Sequence, residues 1–328
     1  MHSGKLSVGI WGIGGHARRR LLPAILQSDA LDLIGLCTRN RTTGEEEAAA
    51  AQCVFFQTPE EMLADPRIDA VVLSTPTGLH HAHGLAVIAT GKHLISEKPL
   101  THSAATTIDL FAKAEAQGVR IFSALMYKHH PQFRAIQSIV TDGKLGAVQS
   151  ISIKFGMPSL AHQTFRSDPY LGGGALLDVA CYQLSFAYQL LPEAPQLQAA
   201  RISFRDGSLT DTDGWCMLEK DGVAIHCEWG MGRAYQNRAE IWGSDGILFC
   251  DRVFTKESDY ISTLVTHDLR GQKLQEYVIE AANAYMTMFD DFASDLAVSG
   301  TGTDCRDEAI WCAHITDAIR ETGHTPGG

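Results

Sequence analysis

Short apolar runs set the rhythm of the first third of the chain. LSVGIWG, DLIGLC, VFF, DAVVLS, KHLIS and VRIFSAL read as strands, and a segment with helical spacing follows each of the first five. Runs that are apolar on both faces belong to parallel strands covered from both sides. The alternation therefore predicts a doubly wound sheet with right-handed crossovers. The pattern changes after about residue 125. The spacing predicts a helix over 131–141, then a second helix in GGGALLDVACYQLS. Otherwise AVQSISIKF, LQAARISF, GWCMLEK, VAIHCEW, RAEIWG and GILFC read as strands, with DG turn signals at 206–207, 221–222 and 245–246. Two helices, 283–298 and 306–321, close the chain. Two domains are expected: an α/β domain over 1–124 with a doubly wound parallel sheet, and an α+β domain over 125–328 with a large, mostly antiparallel open sheet.

Composition narrows the field. The 328 residues are 45% hydrophobic and 20% charged, which suits a globular protein with room for two cores. A net charge of −11 argues against nucleic acid as a partner, since that needs a basic face. No apolar run approaches the roughly 18 residues of a membrane span. The chain begins in a strand-like run rather than a charged leader with an apolar core. The eight cysteines form no CxxC, which fits reduced thiols in a cytoplasmic protein better than disulfides or a cysteine zinc site.

The first strand ends in Gly12-Ile13-Gly14-Gly15-His16-Ala17, a G-x-G-x-x-A pattern between a strand and a helix. In that context it reads as a dinucleotide loop. Gly12 permits the tight turn, Gly14 lets a pyrophosphate approach the backbone, and Ala17 allows close helix–strand packing. The phosphates would sit on the helix N-terminus. Residues 1–124 then form an NAD(P)-binding Rossmann domain. A second strand ending in an acid would suit the ribose hydroxyl of NAD. Here the strand ends in Cys37-Thr38-Arg39-Asn40-Arg41. Thr38, Arg39 and Arg41 suit a 2′-phosphate, because guanidinium groups bind phosphate in bidentate fashion. The expectation is NADP(H) over NAD(H), set against a bland reading in which both arginines are simply solvated.

In the GGGALLDVACYQLS segment, Asp178 and Tyr182 stand at i and i+4 on a helix that is otherwise apolar. Both project from one face. A buried acid and phenol must find partners. Either this is a core helix with satisfied polar groups and Asp178 as its cap, or the pair faces a reaction. Reduction of a carbonyl leaves an oxygen that needs a proton, and a nearby cation makes a tyrosine better suited to supply and recover it. Arg166, just before the glycines in FRSDPYLGGG, is placed to meet an anionic group of cofactor or substrate. His129 and His130 precede Pro131 and serve either a helix-entry turn or the substrate. His80-His81-x-His83 has no carboxylate or cysteine at ligand spacing, so no metal is expected. Arg18, Arg19 and Arg20 read as a solvated face, and Met286, Met288, Phe289 and Phe292 as a packing stripe.

Further motifs follow the glycine loop in order: Ser74-Thr75-Pro76-Thr77 with His80, then Glu97-Lys98-Pro99, then GGGALLD. With them, the chain over nearly its whole length resembles the glucose–fructose oxidoreductase / inositol dehydrogenase / rhizopine-catabolism (Gfo/Idh/MocA) family. The resemblance implies that Lys98 is the catalytic lysine beside the nicotinamide, that Tyr182 is the acid/base, and that Asp178 positions the substrate or the acid/base. It implies cofactor contacts from Ser74, Thr75, Pro76, Thr77, His80, Glu97 and Lys98. The family usually has asparagine at the position of Thr77 and often arginine at that of Lys128. A cis Lys98–Pro99 peptide is implied as well.

The combined expectation is an NADP(H)-dependent oxidoreductase moving a hydride between nicotinamide and a sugar, ketosugar or polyol. FGMPSL with GGGALLDVACY is similar to sugar 3-ketoreductases of deoxysugar pathways, which points to a nucleotide-linked ketosugar. Pentose or hexose dehydrogenases and dihydrodiol dehydrogenases are nearby possibilities. A cofactor-binding sensor without turnover and a redox-cycling glycosidase would also be compatible with the fold. An open antiparallel sheet with aliphatic residues on both faces needs a cover, so a homodimer or homotetramer through the C-terminal sheet is expected.

Overall fold

The computed structural model describes residues 4–158, 164–191, 194–205, 207–298 and 305–323. They form two compact units. The first takes the chain up to Met126 together with Ala284–Ala309; the second takes Tyr127–Asn283 and the chain from Ile310. The expected division has one crossing, after residue 124, whereas the chain crosses after Met126, Asn283 and Ala309. In this grouping the segment Ala284–Ala309 goes with the first unit. The reason is packing. In the helix Ala284–Ala297, Met288, Phe289 and Phe292 are buried, and Phe292 stacks on Phe122 with ring centres 4.4 Å apart. Asp290 on the same helix accepts a hydrogen bond from Ser28.

The first unit is built on β1 (Leu6–Trp11), β2 (Leu31–Cys37), β3 (Val54–Phe56), β4 (Ala70–Leu73), β5 (His93–Ser96) and β6 (Ile121–Ser123). Their order is β3-β2-β1-β4-β5-β6, and every pair is parallel. Val8, Ile10, Leu36, Val71, Leu73 and Ile95 are fully buried, as strands covered on both faces require. Helices cross between the strands, several with side-chain caps such as Asn40, Thr58 and Ser103. The helix after β1 has a widened π turn at Ala17–Leu21 before its α segment Leu22–Gln27. Pro23 has no N–H to give to the preceding turn, and the wider register absorbs that loss.

The second unit is built on β7 (Val148–Met157), β8 (Gln196–Ser203), β9 (Asp213–Lys220), β10 (Val223–Met231), β11 (Gln236–Gly243), β12 (Ile247–Asp251), β13 (Ser262–His267) and β14 (Lys273–Ile279). The order is β14-β13-β12-β11-β7-β10-β9-β8. All pairs are antiparallel except β7 with β10, since β8 lies at the far edge and the chain winds back to reach the centre. The β13–β14 hairpin is not foreseen by the sequence pattern. Its outer strand, KLQEYVI, is largely exposed and polar, so it lacks the alternation that marks the others. The DG at 221–222 makes the β9–β10 turn, with Asp221 and Gly222 at φ 48° and 82°. Asp206 of the first DG, and Ser159 and Leu160 of FGMPSL, lie outside the described residues. The helix Cys181–Leu190 covers one sheet face, with Leu184, Phe186 and Ala187 buried. The other face presents Trp215, Trp242 and Phe249 to solvent.

The glycines at 172–174 answer to chain neighbours. Gly172 and Gly174 have φ of 74° and 110°, where a side chain is strained. A Cβ on Gly173 would strike the main chain of Arg166 and Asp168, and one on Gly174 would strike the carboxylate of Asp211. This tight fit lets Asp211 reach the helix start. Its side chain accepts a bond from the Leu176 amide at 2.7 Å and its carbonyl one from the Ala175 amide at 3.0 Å. The helix cap therefore comes from the loop before β9, and Asp178 lies within the helix's first turn.

Burial raises the Asp211 carboxyl to about 6, against the pull of those amides and Arg320. The native value lies above the unfolded one, so protonation favours the fold. That stabilisation is complete below about pH 4 and is lost as pH rises through about 6. Asp211→Asn keeps an acceptor for the Leu176 amide and removes the buried charge. Its stability relative to the native chain should therefore increase by roughly 2–3 kcal/mol between about pH 4 and pH 7. Denaturant melts at several pH values would read this, and parallel curves for the two proteins would refute it.

Candidate active site

In the first unit the predicted cofactor residues gather at the carboxyl ends of β1, β2, β4 and β5. The Gly12 amide bonds to the Cys37 carbonyl at 2.9 Å. Gly12 has φ 104°, and a Cβ there would strike the Ser74 carbonyl, so the turn after β1 closes directly on the end of β4. Gly14 differs: a Cβ there would meet no atom within 4 Å. Internal packing does not require a glycine at 14, whereas a pyrophosphate lying against the backbone would. Ile13 is buried under the loop, and a Cβ on Gly15 would meet only the flexible end of Arg19.

No carboxylate occupies Cys37–Gly44 after β2. Arg41 is exposed and paired with Glu45 at 2.7 Å. Arg39 is exposed and makes no ion pair among the described residues. Its charge is felt at His83, whose ring stacks on Trp11 at 4.2 Å and meets the Thr75 hydroxyl at 3.1 Å. Burial, then the His80 and Arg39 charges, lower the His83 pKa. Sequence reasoning misses this pair. Nothing about an aromatic one residue before Gly12 marks Trp11, and His83 stands out only as part of a histidine run.

His80 is not exposed to a ligand. It is 1% exposed, and its Nε2 and Nδ1 lie 2.8 and 3.0 Å from the carbonyls of Thr75 and Pro99. A neutral ring donates to one of them, and burial favours the neutral ring. His80 thereby ties the loop after β4 to the loop after β5. Thr77 is likewise buried, while Ser74, Thr75 and Pro76 are part-exposed. His81 turns to Asp109 at 2.8 Å, whereas His80 and His83 both meet Thr75, at its carbonyl and its hydroxyl.

The loop after β5 carries Glu97 and Lys98, and the Lys98–Pro99 peptide is cis. Glu97 is buried and accepts from the Lys98 amide at 3.2 Å. Its other oxygen lies 3.0 Å from His16 Nε2. Burial alone would push the carboxyl up, but His16 and Lys98 outweigh it and hold Glu97 below its ordinary value. Glu97 thus serves the loop that bears Lys98. His16, a glycine-loop residue to which spacing gives no role, is its partner.

In the second unit Asp178 and Tyr182 are both buried. Asp178 lies within the π turn Leu176–Ala180 and Tyr182 just beyond it. Asp178 pairs with Arg166 Nε at 2.6 Å, so the arginine expected at an anionic ligand sits on this carboxylate. The Tyr182 ring belongs to an aromatic wall, 5.5 Å from Phe155, 5.6 Å from Phe254 and 6.3 Å from Tyr127. Tyr127 in turn bonds through its hydroxyl to Ser185 at 2.7 Å. A phenol fixed by rings on several sides, next to an ion-paired acid, has the order a proton-transfer group needs.

Both halves of the chain match known proteins. Residues 6–125 match a model described as an oxidoreductase family with an NAD-binding Rossmann fold, and residues 133–249 match the GFO/IDH/MocA C-terminal domain. A dTDP-3,4-didehydro-2,6-dideoxy-alpha-D-glucose 3-reductase from Streptomyces antibioticus is 30% identical over 258 residues, 78% of each chain. The NADP(+) D-xylose 1-dehydrogenase 2 of Haloferax volcanii is 28% identical over 97% of each chain. A 3-ketoreductase from Actinomadura kijaniata, crystallised with NADP and TDP-benzene, superposes with a TM-score of 0.92 at 26% identity, covering 97% of this chain and 98% of that one. That enzyme has also been crystallised with one tyrosine changed to phenylalanine and one lysine changed to alanine or glutamate. With both halves matched in order, the chain belongs to the Gfo/Idh/MocA family of oxidoreductases.

Proposed function

We propose that this protein is an NADP(H)-dependent reductase of a nucleotide-linked ketosugar, with Tyr182 as acid/base and Lys98 as its helper. What carries this reading is Tyr182, buried in its aromatic wall one turn after the paired Asp178. The named relatives, sugar reductases and dehydrogenases, support the substrate class.

The residues fit the cofactor. The glycine loop offers a pyrophosphate open backbone at Gly14. Thr38, Arg39 and Arg41 offer a 2′-phosphate two guanidinium groups and a hydroxyl, with no acid among residues 37–44 to repel it. NADPH, when bound, supplies the hydride. The chain supplies the proton: the Tyr182 hydroxyl gives it to the carbonyl oxygen, and the Lys98 ammonium favours the phenolate left behind. Arg166 fixes Asp178 by their 2.6 Å contact, and Asp178 then orients the substrate hydroxyls. The exposed face with Trp215, Trp242 and Phe249 is read as a self-association surface.

Arg39→Ala should weaken NADPH binding about tenfold or more and leave NADH nearly unaffected. A side-by-side fluorescence titration measures this, and an equal loss for both cofactors would remove the phosphate assignment. Tyr182→Phe should lower kcat by about 10²–10⁴-fold with NADPH affinity intact; an unchanged rate and pH profile would end its acid/base role. Trp242→Glu should shift the assembly toward monomer in light scattering, and a native chain that is already monomeric would contradict the surface reading.

A further inference from the structure

Buried polar groups are normally satisfied within the chain. Two groups of the second unit stand out against this: a ring nitrogen with no partner and an ammonium with no anion among the described residues. His130 caps the helix Pro131–Thr141, its Nδ1 accepting from the Gln132 amide at 3.0 Å. A ring nitrogen that accepts carries no proton, so the neutral ring holds its proton on Nε2. That Nε2–H is buried and has no acceptor, in a residue 0% exposed. Burial, then the charge of Lys256, bring His130 down to about 4, so the ring is neutral near pH 7.

Lys256 is the second. It is part-buried, its ammonium has the Val253 carbonyl at 3.2 Å as acceptor, and it makes no ion pair among the described residues. Burial lowers it to about 7, and no carboxylate stands near enough to oppose that shift. A partly desolvated cation without an anion is expensive.

The two groups sit on segments tied together and held firmly. Gln132 donates to the Asp251 carbonyl at 2.8 Å, joining the start of the His130 helix to the loop that leads to Lys256. Buried Asn237 pins that loop, accepting from the Phe254 amide at 2.9 Å and donating to the Thr255 carbonyl at 2.8 Å. Arg252 in the same loop is held at φ 45°, a strained conformation. The loop also delivers Phe254 against Tyr182, and Tyr127, three residues before His130, packs on both rings, 5.4 Å from Phe254 and 6.3 Å from Tyr182. Four further buried side-chain atoms of this unit lack a partner among the described residues, Gln132 Oε1, Gln183 Oε1, Trp229 Nε1 and Ser262 Oγ, and all of them belong to neutral side chains.

We propose that Lys256 and the Nε2–H of His130 form a binding contact for an anionic oxygen group of the substrate, a phosphoryl group of a nucleotide-linked sugar. Phosphate offers several acceptors on one centre and can take an ammonium and a ring N–H at once. A neutral sugar hydroxyl would leave the Lys256 charge uncompensated. This rests on the reductase reading only in calling the ligand a substrate.

The test uses dTDP as probe, titrated calorimetrically into the full chain without NADP(H). The native protein should bind it, and Lys256→Met should bind it at least about tenfold more weakly. The same variant should melt at a higher temperature, because an uncompensated cation has been removed. His130→Asn keeps a capping oxygen for the Gln132 amide and loses the Nε2–H, so it should also weaken dTDP while NADPH binding stays unchanged. Unchanged dTDP affinity in Lys256→Met, or no dTDP binding by the native chain, would overturn the assignment. Reduction of an uncharged ketosugar with NADPH would still separate that outcome from failure of the reductase reading.

Discussion

The carboxylate of Asp211 on the amide of Leu176 is the contact on which the order around Asp178 and Tyr182 depends. It fixes where the helix begins. From that origin the π turn sets Asp178 toward Arg166, and the next turn sets Tyr182 into its wall of rings. The three glycines before it allow the Arg166–Asp168 main chain and the Asp211 side chain to close to contact distance. A helix without that start would still be apolar and would still pack. Its phenol would not be held to one orientation, and precise placement is most of what a proton donor contributes.

The first unit uses the same device with a different residue. His80 sits between the Thr75 and Pro99 carbonyls and donates to one of them, so two loops from neighbouring strands pack on one buried ring. Lys98 stands in the second of these loops, and Glu97 next to it is satisfied by His16 and the Lys98 amide. The groups that look catalytic in sequence thus divide into two kinds. His80, Glu97 and Arg166 each make a hydrogen bond or ion pair inside the chain. Arg39 makes no ion pair among the described residues, and Gly14 leaves backbone uncovered.

Much of the fold is legible in the sequence. The βα rhythm, the helix over 131–141 and the DG turn at 221–222 rest on local patterns, and local patterns survive folding. The return of the helix Ala284–Ala297 to the first unit is not legible, because a packing stripe of Met288, Phe289 and Phe292 says that a helix is covered and not by what. The β13–β14 hairpin escapes because an exposed edge strand need not alternate. Spacing picks out the site motifs, yet it does not reveal what the glycines at 172–174 and Arg166 face. Whether a polar group faces a ligand or a neighbour depends on residues far away in the chain, such as Asp211 for Gly174 and Asp178 for Arg166.

That distinction has an energetic basis. A polar group that completes its bonds inside the protein gains stability from them, and one kept for a ligand forgoes that gain until the ligand arrives. Among the described residues, Glu97 is buried and compensated, whereas Lys256 is part-buried and lacks an anion. Both lie in segments that are rigidly held, so mobility does not explain the difference. A rigid loop that keeps a cation from any acid, one residue beyond main chain pinned by a buried asparagine, maintains an unfavourable arrangement at a fixed position. Such an arrangement persists when binding later offsets it, and for this reason the uncompensated charge, more than any sequence motif, marks where a substrate's own charge belongs.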